Sequence, residues 1–210
     1  LYRIMEALVT RFPDILFESC SGGGGRFDPG MLYYMPQVWT SDNSDAIART
    51  KIQYGTSLVY PISTMGAHVS AVPNHQLHRT TPLAYFGAFG YELELLQLSD
   101  EEKDEIKKQV AFYKEIRGLV QFGDFYRLVN PFDAGTAAWM SVSKAKDQAF
   151  AVYVYHLIHL EQPNYRLKLQ GLDPEALYKV EGNEKTLTLP GDILMNAGIL
   201  VPRPKKDFES

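Results

Sequence analysis

Short apolar segments that end in polar, glycine-rich or proline-rich loops recur along the first half of the chain. Ile15–Phe17 is followed by a loop with four consecutive glycines, and Gln37–Thr40 is followed by a run of Ser, Asp and Asn. Ser57–Tyr60 ends at a proline, and Phe89–Leu93 is the next such segment. Because short apolar runs bounded by loops are typical of buried strands, the sequence predicts a parallel α/β sheet.

Helical patterns lie between these segments. Residues 1–11 carry apolar side chains on one face, which predicts an amphipathic helix. A second helix is predicted from Ala46 to Gly55, with Asn43 or Ser44 as its N-cap. Strands that alternate with helices favour parallel βα units, and four such units are about half of a (β/α)8 TIM barrel.

The most specific helix start in the sequence is a capping box. Ser99 stands at the predicted N-cap and Glu102 stands three residues later, where each side chain can bond to the other residue's backbone N–H. Ile106, Val110 and Tyr113 follow at helical spacing. We therefore predict that a long helix begins directly after Ser99.

Period-two alternation replaces the helical patterns from about residue 130. The alternating segments are Trp139–Ser143, Ala149–Tyr155, Tyr165–Leu169 and Lys185–Leu189. Alternation of this kind, with Gly, Pro, Asn and Asp between the segments, predicts antiparallel strands. We therefore divide the chain into residues 1–129, a half barrel, and residues 130–210, a small antiparallel sheet domain.

Charge and composition exclude several classes of protein. Lys and Arg total 21 against 25 Asp and Glu, and the net charge of −4 offers no basic surface for nucleic acid or anionic lipid. The single cysteine cannot form an internal disulfide, and no apolar run approaches membrane-spanning length. We expect a soluble, cytoplasmic protein without nucleic-acid or membrane partners. Since the chain starts without Met and inside a helical pattern, we also expect a piece of a longer protein.

Polar residues directly after the predicted strands are the first candidates for chemistry, because reactive groups in parallel α/β folds lie where strands end. Cys20 and Asp42 stand at such positions. Asp42 and Asp45 also stand near a helix start, so helix capping is an alternative role for both. The glycine run lacks the Gly-Lys-Ser/Thr ending of a phosphate-binding loop. It either brings backbone close to a ligand or forms a flexible turn.

Cysteine, histidine and tryptophan side chains leave further alternatives open. Cys20 as a nucleophile would need a histidine partner that no spacing assigns, so we favour a buried or substrate-contacting thiol. His68, His75 and His78 do not have the spacing of a metal motif, and we predict neither a metal nor a cofactor. Trp39 is either a platform for a sugar ring or a core residue.

Two stretches of the chain are highly specific combinations of residues. Leu16–Asp28 is LFESCSGGGGRFD and Gln37–Ala46 is QVWTSDNSDA. Together with shorter segments, they resemble the bacterial α-galactosidases of glycoside hydrolase family 36, the melibiase and raffinase group. The shorter segments are Val59–Pro61, Met65–Ser70, Pro73–Gln76, Phe89–Leu93 and Gly191–Gly198.

The resemblance implies a TIM barrel followed by a small β-sandwich. It also implies a retaining α-galactosidase that acts by double displacement on terminal α-galactosides, such as melibiose and raffinose-type oligosaccharides. Asp42 would be the general acid/base of that reaction. The other implied site residues are Cys20, Gly23 and Trp39 at the substrate and Asp45 and Arg49 as supports of the loop.

A retaining glycosidase needs two carboxyl groups about 5 Å apart, of which one is the nucleophile. In the family the nucleophile is an Asp in a Lys-Trp-Asp type motif, and no such motif occurs in this sequence. We therefore expect the nucleophile outside these residues and no activity from this piece alone. The family usually carries several more residues between Leu83 and Ala84, so the segment is either shorter in this protein or incomplete in this chain.

Other functions are compatible with the same residues. A relative that mainly transfers galactose, or that prefers N-acetylgalactosamine, is the nearest alternative within the enzymes. A non-catalytic sugar-binding or assembly module is an alternative from another class. Members of the family commonly form homotetramers, so the resemblance also implies a homo-oligomer.

Overall fold

The computed structural model describes residues 1–70, 77–133, 135–156, 165–182 and 185–201. The chain divides into two compact units, Leu1–Tyr113 and Lys114–Ser210. The long helix α6 (Asp100–Phe122) contains the point of division. The predicted boundary at residue 129 stays a prediction.

Helices and strands alternate along the first unit. They are α1 (Tyr2–Arg11), β1 (Glu18–Ser19), the single turn α2 (Ser21–Gly24), α3 (Pro29–Tyr34), β2 (Gln37–Trp39), α4 (Ala46–Ser57), β3 (Met65–Ser70), α5 (Leu77–Ala84), β4 (Ala88–Glu92) and the start of α6, with 3-10 turns at Ile62–Thr64 and Leu95–Gln97. The strands form one parallel sheet in the order β1-β2-β3-β4. The predicted α/β class is confirmed.

Parallel pairing brings the carboxyl ends of these strands to one edge of the sheet. The longest ladder joins β3 and β4, from Gly66 opposite Ala88 to Ser70 opposite Glu92. β1 pairs with β2 through only two residues. The residues that follow β1 and β2 therefore lie at the same edge as the last residues of β3 and β4.

The predicted strand at Ile15–Phe17 is wrong. Strand β1 consists of the next polar residues, Glu18 and Ser19, whereas Ile15 is 52% and Leu16 is 88% exposed. The apolar run precedes the first residue that pairs with β2, so within the described residues it is paired with no strand. The apolar run therefore marks the residues just before the strand, and not the strand itself.

The predicted strand at Ser57–Tyr60 is also wrong. Helix α4 includes Ser57, and the backbone N–H groups of Val59 and Tyr60 both bond to the carbonyl of Thr56. Those donors are used in a turn and cannot pair with a strand. The third strand is instead Met65–Ser70, in which Met, Ala and Val alternate on a buried face.

The described core of the first unit contains Ala67 and Val69 of β3 and Ala84 of α5. Ile106 of α6 and aromatic side chains of β4 pack against this cluster. Apolar burial of this kind is the main favourable term that holds helices on a sheet. His68 lies on the second face of β3 and is half-buried.

The predicted capping box at the start of α6 is confirmed. The backbone N–H of Ser99 donates to Oε2 of Glu102 at 2.8 Å, and the backbone N–H of Glu102 donates to Oγ of Ser99 at 3.2 Å. Both residues thus satisfy donors that the helix itself leaves unpaired.

The second unit is built mainly from antiparallel strands. They are β5 (Asp124–Val129), β6 (Thr136–Val142), β7 (Ala149–Tyr155), β8 (Tyr165–Leu167), β9 (Leu177–Gly182), β10 (Lys185–Pro190) and β11 (Ile199–Val201), with α7 (Gly191–Asn196) before the last strand. Strands β5-β6-β7 form one sheet, and β8-β11 and β9-β10 form two-stranded sheets. The predicted antiparallel strands are confirmed.

Strand β6 is the centre of its sheet, and every residue from Thr136 to Val142 is buried. Ala138, Met140 and Val142 share a core cluster with Leu194 of α7 and with leucines at 167, 169 and 172. Among the described residues, none of the helices has the length and apolar character needed to cross a bilayer.

Candidate active site at the carboxyl edge of the parallel sheet

The carboxyl edge of the parallel sheet collects the polar residues that the sequence singled out. Cys20 directly follows β1, and Asp42 stands three residues after Trp39, the last residue of β2. Glu92 ends β4 at the same edge. This edge is therefore the candidate site.

The glycine run forms a single left-handed turn. Ser21 has a φ of 53°, and the three glycines after it have φ values of 70°, 76° and 88°. Glycine adopts this conformation without the steric cost that other residues incur, which explains the composition of the turn. The Gly24 N–H bonds to the Cys20 carbonyl at 2.8 Å, and the Gly23 N–H bonds to Cys20 Sγ at 3.4 Å. Two hydrogen bonds to Cys20 thus close the turn, and both alternatives, a backbone that approaches a ligand and a flexible turn, stay predictions.

The glycine turn also lies very close to the loop that follows β2. A Cβ atom on Gly24 would lie 2.5 Å from the Thr40 carbonyl oxygen. A Cβ atom on Gly23 would lie 3.0 Å from the Asp42 nitrogen and 3.1 Å from its Oδ2. The absence of side chains at these positions lets the backbone of one loop contact the carboxylate of the other.

Asp42 is exposed, and its two carboxylate oxygens have different surroundings. Oδ1 accepts the indole N–H of Trp39 at 3.0 Å, whereas Oδ2 lies near Gly23. An indole can donate but cannot accept, so Oδ1 serves as the acceptor in this bond. Oδ1 is therefore engaged by the indole, whereas Oδ2 faces the glycine turn.

Trp39 is held by two side chains that contact its ring system, and we call Arg49, Trp39 and His68 the tryptophan stack. The His68 ring stacks on Trp39 with centroids 4.6 Å apart and an interplanar angle of 26°. The Arg49 guanidinium carbon lies 4.5 Å from the Trp39 ring centroid. Since Trp39 is only 7% exposed, it does not offer a free face to a sugar ring.

Arg49 joins the strands of the edge through its donors. It is 3% exposed, and it donates to Oγ1 of Thr40 at 3.0 Å and to the carbonyls of Ser41 at 3.4 Å and Gly66 at 2.8 Å. Burial lowers the pKa of Arg49 to about 10, and the negative charge of Glu92 opposes this shift. The guanidinium therefore stays charged at neutral pH.

His68 is oriented from the neighbouring strand. Its Nδ1 lies 3.0 Å from Oε1 of Glu92. An ionised carboxylate only accepts hydrogen bonds, so Nδ1 carries the hydrogen of this contact. The tryptophan stack is thus connected to Asp42 at one end and to Glu92 at the other.

Helix capping belongs to Asp45. Its Oδ1 accepts the backbone N–H groups of Ile47 at 3.1 Å and Ala48 at 2.9 Å, so Asp45 is the N-cap of α4. The predicted N-cap at Asn43 or Ser44 is wrong, because these residues lie in the loop before the cap. Asp42 does not cap this helix, and its carboxylate is used in the contact with Trp39 instead.

The described residues give no metal site. No three His, Cys, Asp or Glu side chains are grouped to hold a metal ion in the part of the chain that the structure describes. Of the histidines considered from the sequence, His75 lies outside the described residues, as does the side chain of His78. His68 contacts Trp39 and Glu92.

The sequence interpretation missed the contact between His68 and Glu92. The two residues are 24 positions apart, and they meet only because β3 and β4 are adjacent strands. The signal that could have found them is their position in the two apolar segments: each stands near the end of a strand that leads into a loop.

A comparison with family models decides the relationship. The model described as Melibiase matches residues 1–123. This chain belongs to the melibiase family. The model described as the glycosyl hydrolase family 36 C-terminal domain matches residues 136–210, so the predicted family 36 relationship is confirmed.

Curated relatives of this melibiase-family chain are named as α-galactosidases. It is 56% identical to α-galactosidase AgaA of Geobacillus stearothermophilus, with 100% of this chain and 29% of AgaA covered. It is 49% identical to the bifunctional α-galactosidase/sucrose kinase AgaSK of Mediterraneibacter gnavus, with 100% of this chain and 23% of AgaSK covered. The chain therefore spans less than a third of the length of these relatives.

Solved structures show the same fold. The family 36 α-galactosidase AgaB of G. stearothermophilus superimposes with a TM-score of 0.93 at 57% identity, over 98% of this chain and 29% of AgaB. A variant of AgaA in complex with raffinose gives a TM-score of 0.93 at 55% identity, with the same coverage. A further AgaA variant, in complex with stachyose, gives 0.91 at 56% identity, again over 98% of this chain and 29% of the other.

The alignment with AgaA extends over 216 residues, which is more than the 210 residues of this melibiase-family chain. The predicted place of a difference in length lies between Leu83 and Ala84. In the structure these are consecutive buried residues of α5. The place of the difference stays a prediction.

Proposed function

We propose that the protein carrying this chain is a retaining α-galactosidase that hydrolyses terminal α-galactosides, including melibiose and raffinose-type oligosaccharides. The names of the curated relatives support the activity, and the two AgaA variants with raffinose and stachyose support the substrate class. The observation that carries the proposal is the exposed Asp42 carboxylate, which has one oxygen fixed by Trp39 and the other available.

The architecture we propose is the second half of a (β/α)8 barrel followed by a β-sandwich. The parallel strands β1 to β4 neighbour each other in chain order, as barrel strands do, whereas open doubly wound sheets reverse their order at a switch point. The antiparallel sheets of the second unit would form the sandwich. A homo-oligomer, a tetramer in the family, and a cytoplasmic location stay expectations from the resemblance.

In the first chemical step, we propose that Asp42 donates its proton to the glycosidic oxygen. A second carboxylate, outside these residues, attacks the anomeric carbon as the bond to the leaving alcohol breaks. This gives a β-galactosyl enzyme and leaves Asp42 ionised. Asp42 then removes a proton from water, which attacks the anomeric carbon and releases the nucleophile with galactose in the α configuration.

The remaining site residues would contact or support the substrate. Gly23 stands beside Asp42, and its backbone N–H bonds to Cys20 Sγ. We propose that the galactose hydroxyls approach the turn that contains both residues. Trp39 would lie beside the pocket and hold Asp42. Asp45 and Arg49 would support the loop, one as the cap of α4 and the other as a donor to three acceptors.

The test is Asp42→Ala in the full-length protein, with raffinose compared against an aryl α-galactoside that has a good leaving group. Raffinose needs protonation of its leaving oxygen, so its turnover should fall by about 100-fold or more, whereas formation of the galactosyl enzyme from the aryl substrate should change much less. Azide should then replace water and yield α-galactosyl azide. Asp45→Ala, which loses a helix cap, should not separate the two substrates.

Equal rates for Asp42→Ala and wild type on both substrates would overturn the assignment. Analysis of the wild-type products from raffinose and from an N-acetylgalactosaminide separates hydrolysis from the two alternative enzymes. Galactose binding without turnover in the full-length protein would instead favour a sugar-binding module. The 210 residues alone should show no sustained turnover, because the proposed nucleophile is outside them.

A further inference from the structure

Trp39, at the end of β2, connects Asp42 with His68 and Glu92, which lie on the two next strands. His68 lies on β3 and stacks on the indole, and Glu92 lies at the end of β4 and contacts His68 Nδ1. The indole N–H in turn donates to Oδ1 of Asp42. A continuous series of contacts thus runs from Glu92 to the proposed acid/base.

Two glycines make room for this series. A Cβ atom on Gly66 would lie 3.0 Å from Cε3 of Trp39, and a Cβ atom on Gly90 would lie 3.0 Å from Cδ2 and 3.2 Å from Nε2 of His68. Both rings therefore lie directly on strand backbone. Neither ring can move toward the sheet, so the His68 ring limits the positions that the indole can adopt.

We propose that His68, held by Glu92, is a positioning residue that acts on Asp42 through Trp39. It keeps the indole N–H on Oδ1, so that the proton of Asp42 is carried on Oδ2 and points away from Trp39. This inference rests on the proposed function, in which Asp42 is the acid/base. Among the hydrogen bonds of the described residues, none joins His68 directly to Asp42.

Proton transfer depends strongly on such alignment, since small displacements of a catalytic group cost large factors in rate. The contact between His68 and Glu92 has little structural weight by comparison, because the Glu92 side chain is 52% exposed. Removal of the carboxylate should therefore affect the direction of the indole more than it affects folding.

The experiment measures kcat/KM of the full-length protein on raffinose and on the activated aryl α-galactoside. Glu92→Ala and His68→Ala should lower the value for raffinose by about 10- to 100-fold, with a much smaller effect on the aryl substrate. Glu92→Gln keeps an acceptor for Nδ1–H and should recover most of the raffinose activity. Loss of the fold would lower kcat/KM equally for both substrates. The ratio of the two kcat/KM values therefore distinguishes a positioning role from a structural one.

A second variant reaches His68 without removing a polar group. Gly90→Ala places a methyl group against the His68 ring, and it should reproduce the selective loss on raffinose. Gly182→Ala is the matched control, because Gly182 also lies in a strand and a Cβ atom there meets nothing within 4 Å. It should leave both rates unchanged.

Equal losses on both substrates, or no loss, for Glu92→Ala and Gly90→Ala would overturn the positioning role. Asp42→Ala distinguishes this outcome from failure of the proposed function. If Asp42→Ala is selective for raffinose and these variants are not, the acid/base assignment stands and only the role of His68 is wrong. If Asp42→Ala is not selective either, the proposed function itself fails.

Discussion

The two units of the chain differ in the buried side chains that hold their strands in place. In the first unit, Arg49 donates to the Gly66 carbonyl, and Nε2 of Gln53 donates to the carbonyls of Leu83 at 3.0 Å and Phe86 at 3.2 Å. In the second unit, the fully buried strand β6 is covered by an apolar cluster. The first unit thus uses polar side chains to join backbone segments that its short strands leave apart.

This difference follows from the lengths of the ladders. β1 and β2 contain two and three residues, so the loops that follow them begin almost at once. Backbone carbonyls near those loops need donors other than a neighbouring strand, and buried side chains supply them. β6 and β7 pair over seven residues, and their backbone needs no such help. At the candidate site this role belongs to Arg49, whose hydrogen bonds fix the loop after β2 against β3.

The largest expected effect on stability in the first unit comes from Arg49→Met, which keeps most of the side-chain volume and removes the donors. The carbonyl of Gly66 would be left buried without its donor, and we expect a loss of about 3 kcal/mol in the free energy of unfolding. Hydrogen exchange of the full-length protein, followed in peptides from β2 and β3, measures it.

Arg49→Lys is the control for this prediction. It keeps the positive charge but cannot serve the same acceptors with a planar fork, so we expect an intermediate loss. Unchanged exchange in β2 and β3 for Arg49→Met would mean that apolar packing holds the first unit as well, and the contrast between the units would disappear.

In the second unit, the corresponding large effect should come from an apolar side chain. Leu194 is 1% exposed in the cluster beneath β6, and Leu194→Ala should cost about 3 kcal/mol because it removes packed atoms and leaves a cavity. Ile193→Ala is the control, since Ile193 is 41% exposed. Thermal unfolding with exchange in peptides from β6 should show a large effect for the first and a small one for the second.

A smaller effect is expected at the cap of α4. Asp45→Ala removes an acceptor for two backbone N–H groups and should cost about 1 kcal/mol, whereas Asp45→Asn should retain most of the stability. Exchange at the amides of Ile47 and Ala48 reports the change directly. A loss as large as that for Arg49→Met would mean that the loop depends on Asp45 for more than capping.

Local sequence signals predicted the elements whose geometry is local. The capping box at Ser99 depends on residues three positions apart, and it was predicted and confirmed. The apolar runs at Ile15–Phe17 and Ser57–Tyr60 look like strands, but pairing depends on a neighbour that the run itself does not contain. Tertiary context overrode the local preference at both places.

Only the site residues that directly follow a predicted strand could be predicted from the sequence. Cys20 and Asp42 follow apolar runs and could be singled out for that reason. The contact of Trp39 with His68 depends on the pairing of β2 with β3, and that of His68 with Glu92 depends on β3 and β4. Spacing within one segment carries no information on such pairs.

The smallest expected effects on stability are those of two substitutions, one in each unit, and they should have opposite signs. Oγ of Ser141 is buried in β6 and makes no hydrogen bond within the described residues, so Ser141→Ala should be neutral or raise stability by up to about 1 kcal/mol. In the first unit, Oγ1 of the buried Thr81 donates to Oε1 of Gln109 at 3.1 Å.

Thr81→Val keeps the shape of that side chain and removes the donor, so it should lower stability by about 1 kcal/mol. Thermal unfolding of both variants of the full-length protein, side by side, compares the signs. A loss for Ser141→Ala equal to that for Thr81→Val would show that the second unit also depends on buried hydrogen bonds. Opposite signs would show that buried side-chain hydrogen bonds stabilise the unit that carries the candidate site and not the other.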